Sequence, residues 1–168
     1  MPSTNGIRVG IKNVPDTSDL QKFADKANVK ILVGYLAGKQ HKPAKHKKKD
    51  GTYGNSYAQK DNADLAAILS FGDANIPARP FIKDGLLSKK EELKKEIKTQ
   101  LDRLKKGDLA NWNKVGTKAV GAVQEFVRGD YYKSNEPNAK STIAQKGSDT
   151  PLIDEADLIN SLEFIVEA

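Results

Sequence analysis

Ile76-Pro77-Ala78-Arg79-Pro80-Phe81, directly after the apolar run Leu65-Ala66-Ala67-Ile68-Leu69-Ser70-Phe71-Gly72, decides how this chain is read. The run has the length and composition of a helix, and Gly72 is placed to end it at C′. Pro77 and Pro80 each fix φ near about −65° and keep the preceding residue out of the α region. The expectation is a stiff corner between two helices, with Pro80 in the first turn of the second and Arg79 leaving in a fixed direction. Pro77, Arg79, Pro80 and Phe81 are therefore candidate structural or interface residues. Arg79 has two open readings, a local ion pair inside the monomer and an anchor at a subunit interface, where arginine is enriched. The corner itself is expected to pin the helix ending at Phe71 to the one starting at Pro80, with Phe81 seated beneath.

Outward from the corner, Ile7, Val9 and Ile11 alternate with Arg8, Gly10 and Lys12, the pattern of a half-buried strand over 6–14. Pro15-Asp16-Thr17 ends it and supplies an N-cap for a short helix striped by Leu20, Phe23, Ala24 and Ala27. Val29 to Leu36 reads as a second strand, and Asp61 or Asn62 caps the helix that runs to Phe71. Beyond the corner, Leu86, Leu93, Ile97, Leu101 and Leu104 form a narrow stripe close to a heptad, ending at Gly107. Ser88-Lys89-Lys90-Glu91 has capping-box spacing within it. Asp108 is placed to cap a helix whose buried face is Leu109, Trp112, Val115, Ala119, Val123 and Phe126, with Trp112 in the core. Arg128-Gly129-Asp130 breaks that helix. From 131 to 151 the chain is polar and turn-rich. Asp154 or Glu155 opens a short helix through Asn160, and Leu162 to Val166 reads as a terminal strand. The expected fold is α+β: a small, mostly antiparallel sheet with helices on one face, a long basic loop or hairpin, and a polar C-terminal excursion.

At 168 residues the chain suits one domain that buries roughly two-thirds of its unfolded surface. Its 38% hydrophobic and 30% charged residues, with a mean hydropathy of −0.62, leave a small core or one completed on assembly. Two excursions, 38–56 and 131–151, stand outside that core, the second polar and extended. The absence of cysteine excludes disulfides and thiolate chemistry. The N-terminal residues lack a signal pattern and no apolar run approaches the ~20 residues of a membrane span. A soluble protein made in the cytosol, with no membrane partner, is expected.

The net charge is +6, and much of the excess lies in Lys39-Gln40-His41-Lys42-Pro43-Ala44-Lys45-His46-Lys47-Lys48-Lys49. Lys42, Lys45, Lys47, Lys48 and Lys49 are the candidate contacts to DNA or to an acidic partner, through phosphate neutralisation without base readout. The plainer reading is a solvated loop guarding a sheet edge. His41 and His46, the only histidines, sit among these lysines, where positive charge repels a cation. Dinucleotide, P-loop, zinc-protease and nucleophile-elbow motifs are missing. The carboxylates of Asp154-Glu155-Ala156-Asp157 suit a helix N-terminus. The chain is expected not to be an enzyme, with no catalytic, cofactor or metal residues.

Several features fall in one order: Val33-Gly34 ending a strand, the helix Ala63 to Phe71-Gly72, the Pro77-Ala78-Arg79-Pro80-Phe81 block, and Pro137-Asn138 with Ser141-Thr142. Lys146-Gly147-Ser148 and Pro151-Leu152-Ile153-Asp154, with Leu158 and Ser161, follow them. This order resembles the tailed-bacteriophage neck and tail-completion proteins of the HK97 gp10-like group and its virion-morphogenesis relatives, over roughly residues 30 to 165. The resemblance implies a non-enzymatic virion protein of α+β topology, assembled in the host cytoplasm, forming a ring at the head–tail junction. It implies self-association, as a hexamer, and contact with the tail tube protein and the head-completion or connector proteins. Whether such a ring caps the tube or lies between tube and head stays open. A lumen position would allow non-specific contact with DNA. The alternative from the residues alone is a nucleic-acid-binding module acting through 39–49.

Overall fold

A computed structural model of the chain describes residues 18–35, 45–47, 53–55, 61–74, 76–147, 149–152 and 157–167. In chain order these form α1 (Ser18–Ala27), β1 (Lys30–Gly34), β2 (Lys45–Lys47), β3 (Tyr53–Asn55), α2 (Asn62–Phe71) and α3 (Phe81–Ser88). Then follow α4 (Lys90–Lys105), α5 (Trp112–Arg128), α6 (Tyr131–Asn135), α7 (Lys140–Lys146), α8 (Asp157–Asn160) and β4 (Glu163–Glu167). The fold is α+β. The expected strand over 6–14, its Pro15-Asp16-Thr17 boundary and the Asp154 or Glu155 cap lie outside the described residues.

The terminal strand pairs antiparallel with β1, Lys30 opposite Glu167 and Gly34 opposite Glu163. Strand alternation puts Phe164 against Gly116 of α5 and leaves Leu32 and Ile165, which face each other across the ladder, 49% and 42% exposed. Helices therefore cover one face of this sheet. A second ladder pairs β2 with β3 antiparallel, Lys45 opposite Asn55 and Lys47 opposite Tyr53.

Helix α5 is the element around which the rest is packed: it touches α3, α4, α6, α8 and both strands of the β1–β4 sheet. Val115, Ala119, Ala122, Val123 and Val127 recur at helical spacing and are buried. Phe81, Ile159, Leu158, Leu162, Leu65 and Tyr132 complete the core around the C-terminal half of that stripe. At Gly85 of α3 an added Cβ would lie 2.6 Å from the Val123 Cα. Only glycine lets these two helices approach so closely. Pro151 and Leu152 are buried as well, and Leu152 holds a φ of 62°, a conformation costing a side-chain-bearing residue on the order of 1 kcal/mol.

Several local expectations are corrected by packing. Asn111, not Asp108, caps α5, its side chain accepting from Lys114 N. Leu109 consequently lies outside the helix and is 77% exposed, and Trp112 is only half-buried. The Ser88 hydroxyl donates to the Gly85 carbonyl instead of forming a capping box, and Lys89 at the start of α4 makes no side-chain cap. The 131–151 segment carries two short helices, not an extended excursion, because Tyr132 is drawn into the core.

The largest correction concerns α4. Its apolar stripe is only partly covered, with Ile97 38% exposed, while the buried residues are Glu96 and Gln100. The reason lies on α5, which presents Lys114 and Lys118 to α4. The Lys118 ammonium donates to Glu96 Oε2, Lys114 pairs with Oε1 at 3.2 Å, and Gln100 Nε2 donates to Oε1 at 2.7 Å. The Gln100 Oε1 then accepts from Asn111 N at 2.8 Å, so the network ends on the cap of α5. The Lys118 hydrogen bond leads in holding the Glu96 carboxyl down at about 2 against an ordinary 4.5, with burial opposing and Gln100 and Lys114 assisting.

A carboxyl depressed in the folded state means that the unfolded chain binds the proton first. The stability it contributes is full above about 4.5 and lost as pH falls towards about 2. Glu96→Gln is accordingly expected to lower the urea midpoint at neutral pH, with the gap to the wild type closing as pH falls through that window. A gap that stays constant down to the acid end would refute the network's role.

Candidate functional site

The corner begins at the end of α2. Asp61 caps its start, Oδ1 accepting from Ala63 N at 3.0 Å, and Gly72 closes its end, donating to the Ile68 carbonyl at a φ of 73°. A side chain at Gly72 would be strained by that φ and would meet Ile76 O at 2.7 Å. Asp73 then ties the turn to itself: its N–H donates to Ile76 O, and its Oδ1 accepts from Ile76 N, each at 2.9 Å. Arg79 N reaches back to the Leu69 carbonyl at 2.8 Å, so the corner is bonded to the helix it leaves. Pro77 sits exposed on the outside, Pro80 caps α3, and Phe81 is fully buried beneath.

Arg79 itself is 5% exposed. Its Nε and Nη2 donate to the Glu136 carbonyl at 3.1 and 2.8 Å, and Nη2 also to the Pro137 carbonyl at 3.2 Å. The partners are thus backbone dipoles of the α6–α7 link, where the ion-pair reading of Arg79 would place a carboxylate. Pro137 favours an extended Glu136, and Glu136 is found at φ −139°, which ends α6 and offers both carbonyls to one guanidinium. Burial draws the Arg79 pKa below its usual value, against the charges of Glu136 and Tyr132. A second latch lies alongside: the Tyr132 hydroxyl donates to Asp84 Oδ2 at 2.7 Å, and burial, then that bond, push its pKa far up. Asp84, Tyr132 and Glu136 were not singled out by sequence reasoning. The only signal was the aromatic pair Tyr131-Tyr132 just past a helix stop, which packs with Phe126 at ring separations of 5.0 to 5.6 Å.

Beside the corner, α2, α3 and the end of β1 line an open apolar groove of about 660 Å³. Tyr35, Ala67, Phe71, Ile82, Leu86 and Leu87 are among its walls. Phe71 at its rim is 83% exposed and Leu87 53%. The Tyr35 hydroxyl is buried with no hydrogen-bond partner among the described residues. Burial raises its pKa strongly. Grooves of this kind take an apolar side chain and a hydrogen-bonding group.

Of the basic candidates, Lys45 and Lys47 lie on β2, opposite Asn55 and Tyr53, and β2 runs beside α7. Lys42, Lys48, Lys49 and His41 lie outside the described residues. Among the described residues, no group of His, Asp or Glu is arranged to hold a metal ion, and no helix is long and apolar enough to cross a membrane. No family model matches the chain, and neither does a curated protein or a solved structure.

Arg79→Ala would strand two carbonyls that a charged donor now satisfies, a loss on the order of 2–4 kcal/mol. Arg79→Lys keeps the charge without the planar fork and should fall between. Chemical denaturation of both variants checks the order; a wild-type midpoint for Arg79→Ala would show that the corner holds without its arginine.

Proposed function

We propose that this chain is a non-enzymatic virion structural protein of a tailed bacteriophage, a subunit of a ring at the head–tail junction that completes or terminates the tail and joins it to the head connector. Two things support the reading. One is the order of motifs from Val33-Gly34 to the Pro151-Leu152 block, which resembles the neck and tail-completion proteins. The other, and the observation that carries it, is a rigid corner placed directly beside an open apolar groove with Phe71 83% exposed at its rim. A stiff joint next to uncovered apolar surface is what a subunit needs if part of its core is completed by assembly. Its partners on this reading are copies of itself, the tail tube protein and the head-completion or connector proteins.

The basic β2–β3 ladder favours a second reading, nucleic-acid contact. β2, with Lys45 and Lys47, lies beside α7, which carries Lys140 and Lys146. The two readings overlap where a ring surrounds a DNA path. Light scattering of the purified protein, alone and mixed with tail tubes, is expected to show a multimer or co-sedimentation. A species that stays monomeric under both conditions defeats the ring. A gel shift that weakens steeply with salt would bring in that ladder, and unshifted DNA at low salt would remove it.

A further inference from the structure

Apolar side chains exposed on a surface are ordinary when scattered, so their shape and setting decide what they mean. Leu32 and Ile165 lie on a sheet face and Ile97 lies midway along α4, while Tyr131 packs tilted against Phe126 and edge-on to Tyr132. Leu109 differs. It is 77% exposed on the short turn between α4 and α5, after Gly107 at φ 83° and Asp108, and so forms an apolar knob. That turn is held rigidly from behind, because Asp108 N donates to the Arg103 carbonyl and Asn111 N to Gln100 Oε1.

We propose that the Leu109 turn of one copy of this chain inserts into the α2–α3 groove of the next, with Asp108 against Lys83. Complementarity carries the assignment. The groove is apolar and open, Leu109 is apolar and projecting, and Lys83 lines the groove. Lys83 and Asp108 are both exposed and make no ion pair among the described residues. The two surfaces cannot meet within one chain. Helix α4, of 16 residues, carries the turn about 24 Å away from the end of α3. A knob at one end and a groove at the other make a heterologous, head-to-tail contact, the kind that closes a ring. The inference rests on the ring reading above and names its contact.

The chain has no cysteine, so a paired variant gives an unambiguous test. Leu109→Cys combined with Ala67→Cys, oxidised in the full-length protein under assembling conditions, is expected to give a ladder of covalent multimers. Each single variant should give at most dimers. Leu109→Asp should weaken association on the order of tenfold or more while keeping the wild-type thermal midpoint, since Leu109 is exposed in the monomer. Lys83→Asp should weaken association as well, and adding Asp108→Lys to it should restore part of the loss. If the wild type assembles but the paired variant gives no ladder and Leu109→Asp assembles normally, the contact is wrong and the ring stands. If the wild type stays monomeric even with tail tubes, ring and contact fail together.

Discussion

The fork from Arg79 to the Glu136 and Pro137 carbonyls is the interaction on which the rest of the architecture depends. A guanidinium cannot shed its charge on burial, so it must be met by acceptors wherever it is enclosed. Here a proline-terminated helix supplies them. Two consecutive helices and a segment 57 residues further on are joined at one residue. The Arg79 backbone bonds to the end of α2, its side chain holds the exit of α6, and its position fixes where Phe81 enters the core. Tyr132 and Asp84 repeat the tie between α6 and α3 one turn away. With both in place, the α6–α7 stretch, whose sequence has little apolar content, is docked by polar bonds, one set to backbone carbonyls and one between side chains.

Polar joints of this kind recur because the apolar core is small. Glu96 and Gln100 join α4 to α5 where leucines were expected to do so. Asn62, 3% exposed, donates to Ser161 Oγ at 2.9 Å, which in turn donates to the Leu158 carbonyl, tying the start of α2 to the turn before β4. Buried polar groups cost stability when one partner is removed and contribute little net when complete. What such joints supply is geometry: each allows one relative placement of its two elements. Apolar contacts at α5 hold the molecule together, and the polar joints set the angles.

That division explains what the sequence revealed. Signals carried by local chemistry were legible: a cap at Asp61 or Asn62, the Gly72 stop, the proline corner, a strand within 29–36 and a terminal strand near 162–166, though not that these two strands pair. Each is decided by a few neighbouring residues and backbone sterics. Features decided by a distant partner were not. The Leu93–Leu104 stripe looked like a core face, but Lys114 and Lys118 reward the carboxylate beside it. Asp108 and Asn111 are both good caps, and the choice fell to Asn111, whose N–H is held by Gln100. The 131–151 stretch has no periodicity, yet Tyr132 and Glu136 meet Asp84 and Arg79 across about fifty residues of chain. At the candidate site the corner was visible and the groove was not, since its walls come from three segments whose approach only the fold determines.

The corner and the groove belong to one argument. Arg79 is buried and has almost no surface to offer a neighbour, so it does not anchor an interface by touching one. Its effect on assembly would be indirect. The groove is walled by α2, α3 and the end of β1, and the corner of Gly72, the two prolines and the Arg79 fork joins the two helices. A loosened corner would let Ala67 and Ile82 close on each other and cover Phe71 from within the same chain. That collapse would gain apolar contact inside the monomer at the expense of contact between copies. A rigid, polar-bonded joint prevents it, keeping apolar surface open that a more yielding fold would bury. On the ring reading proposed above, the stiffness read from two prolines and an arginine would hold that apolar groove in its open shape for a neighbouring copy.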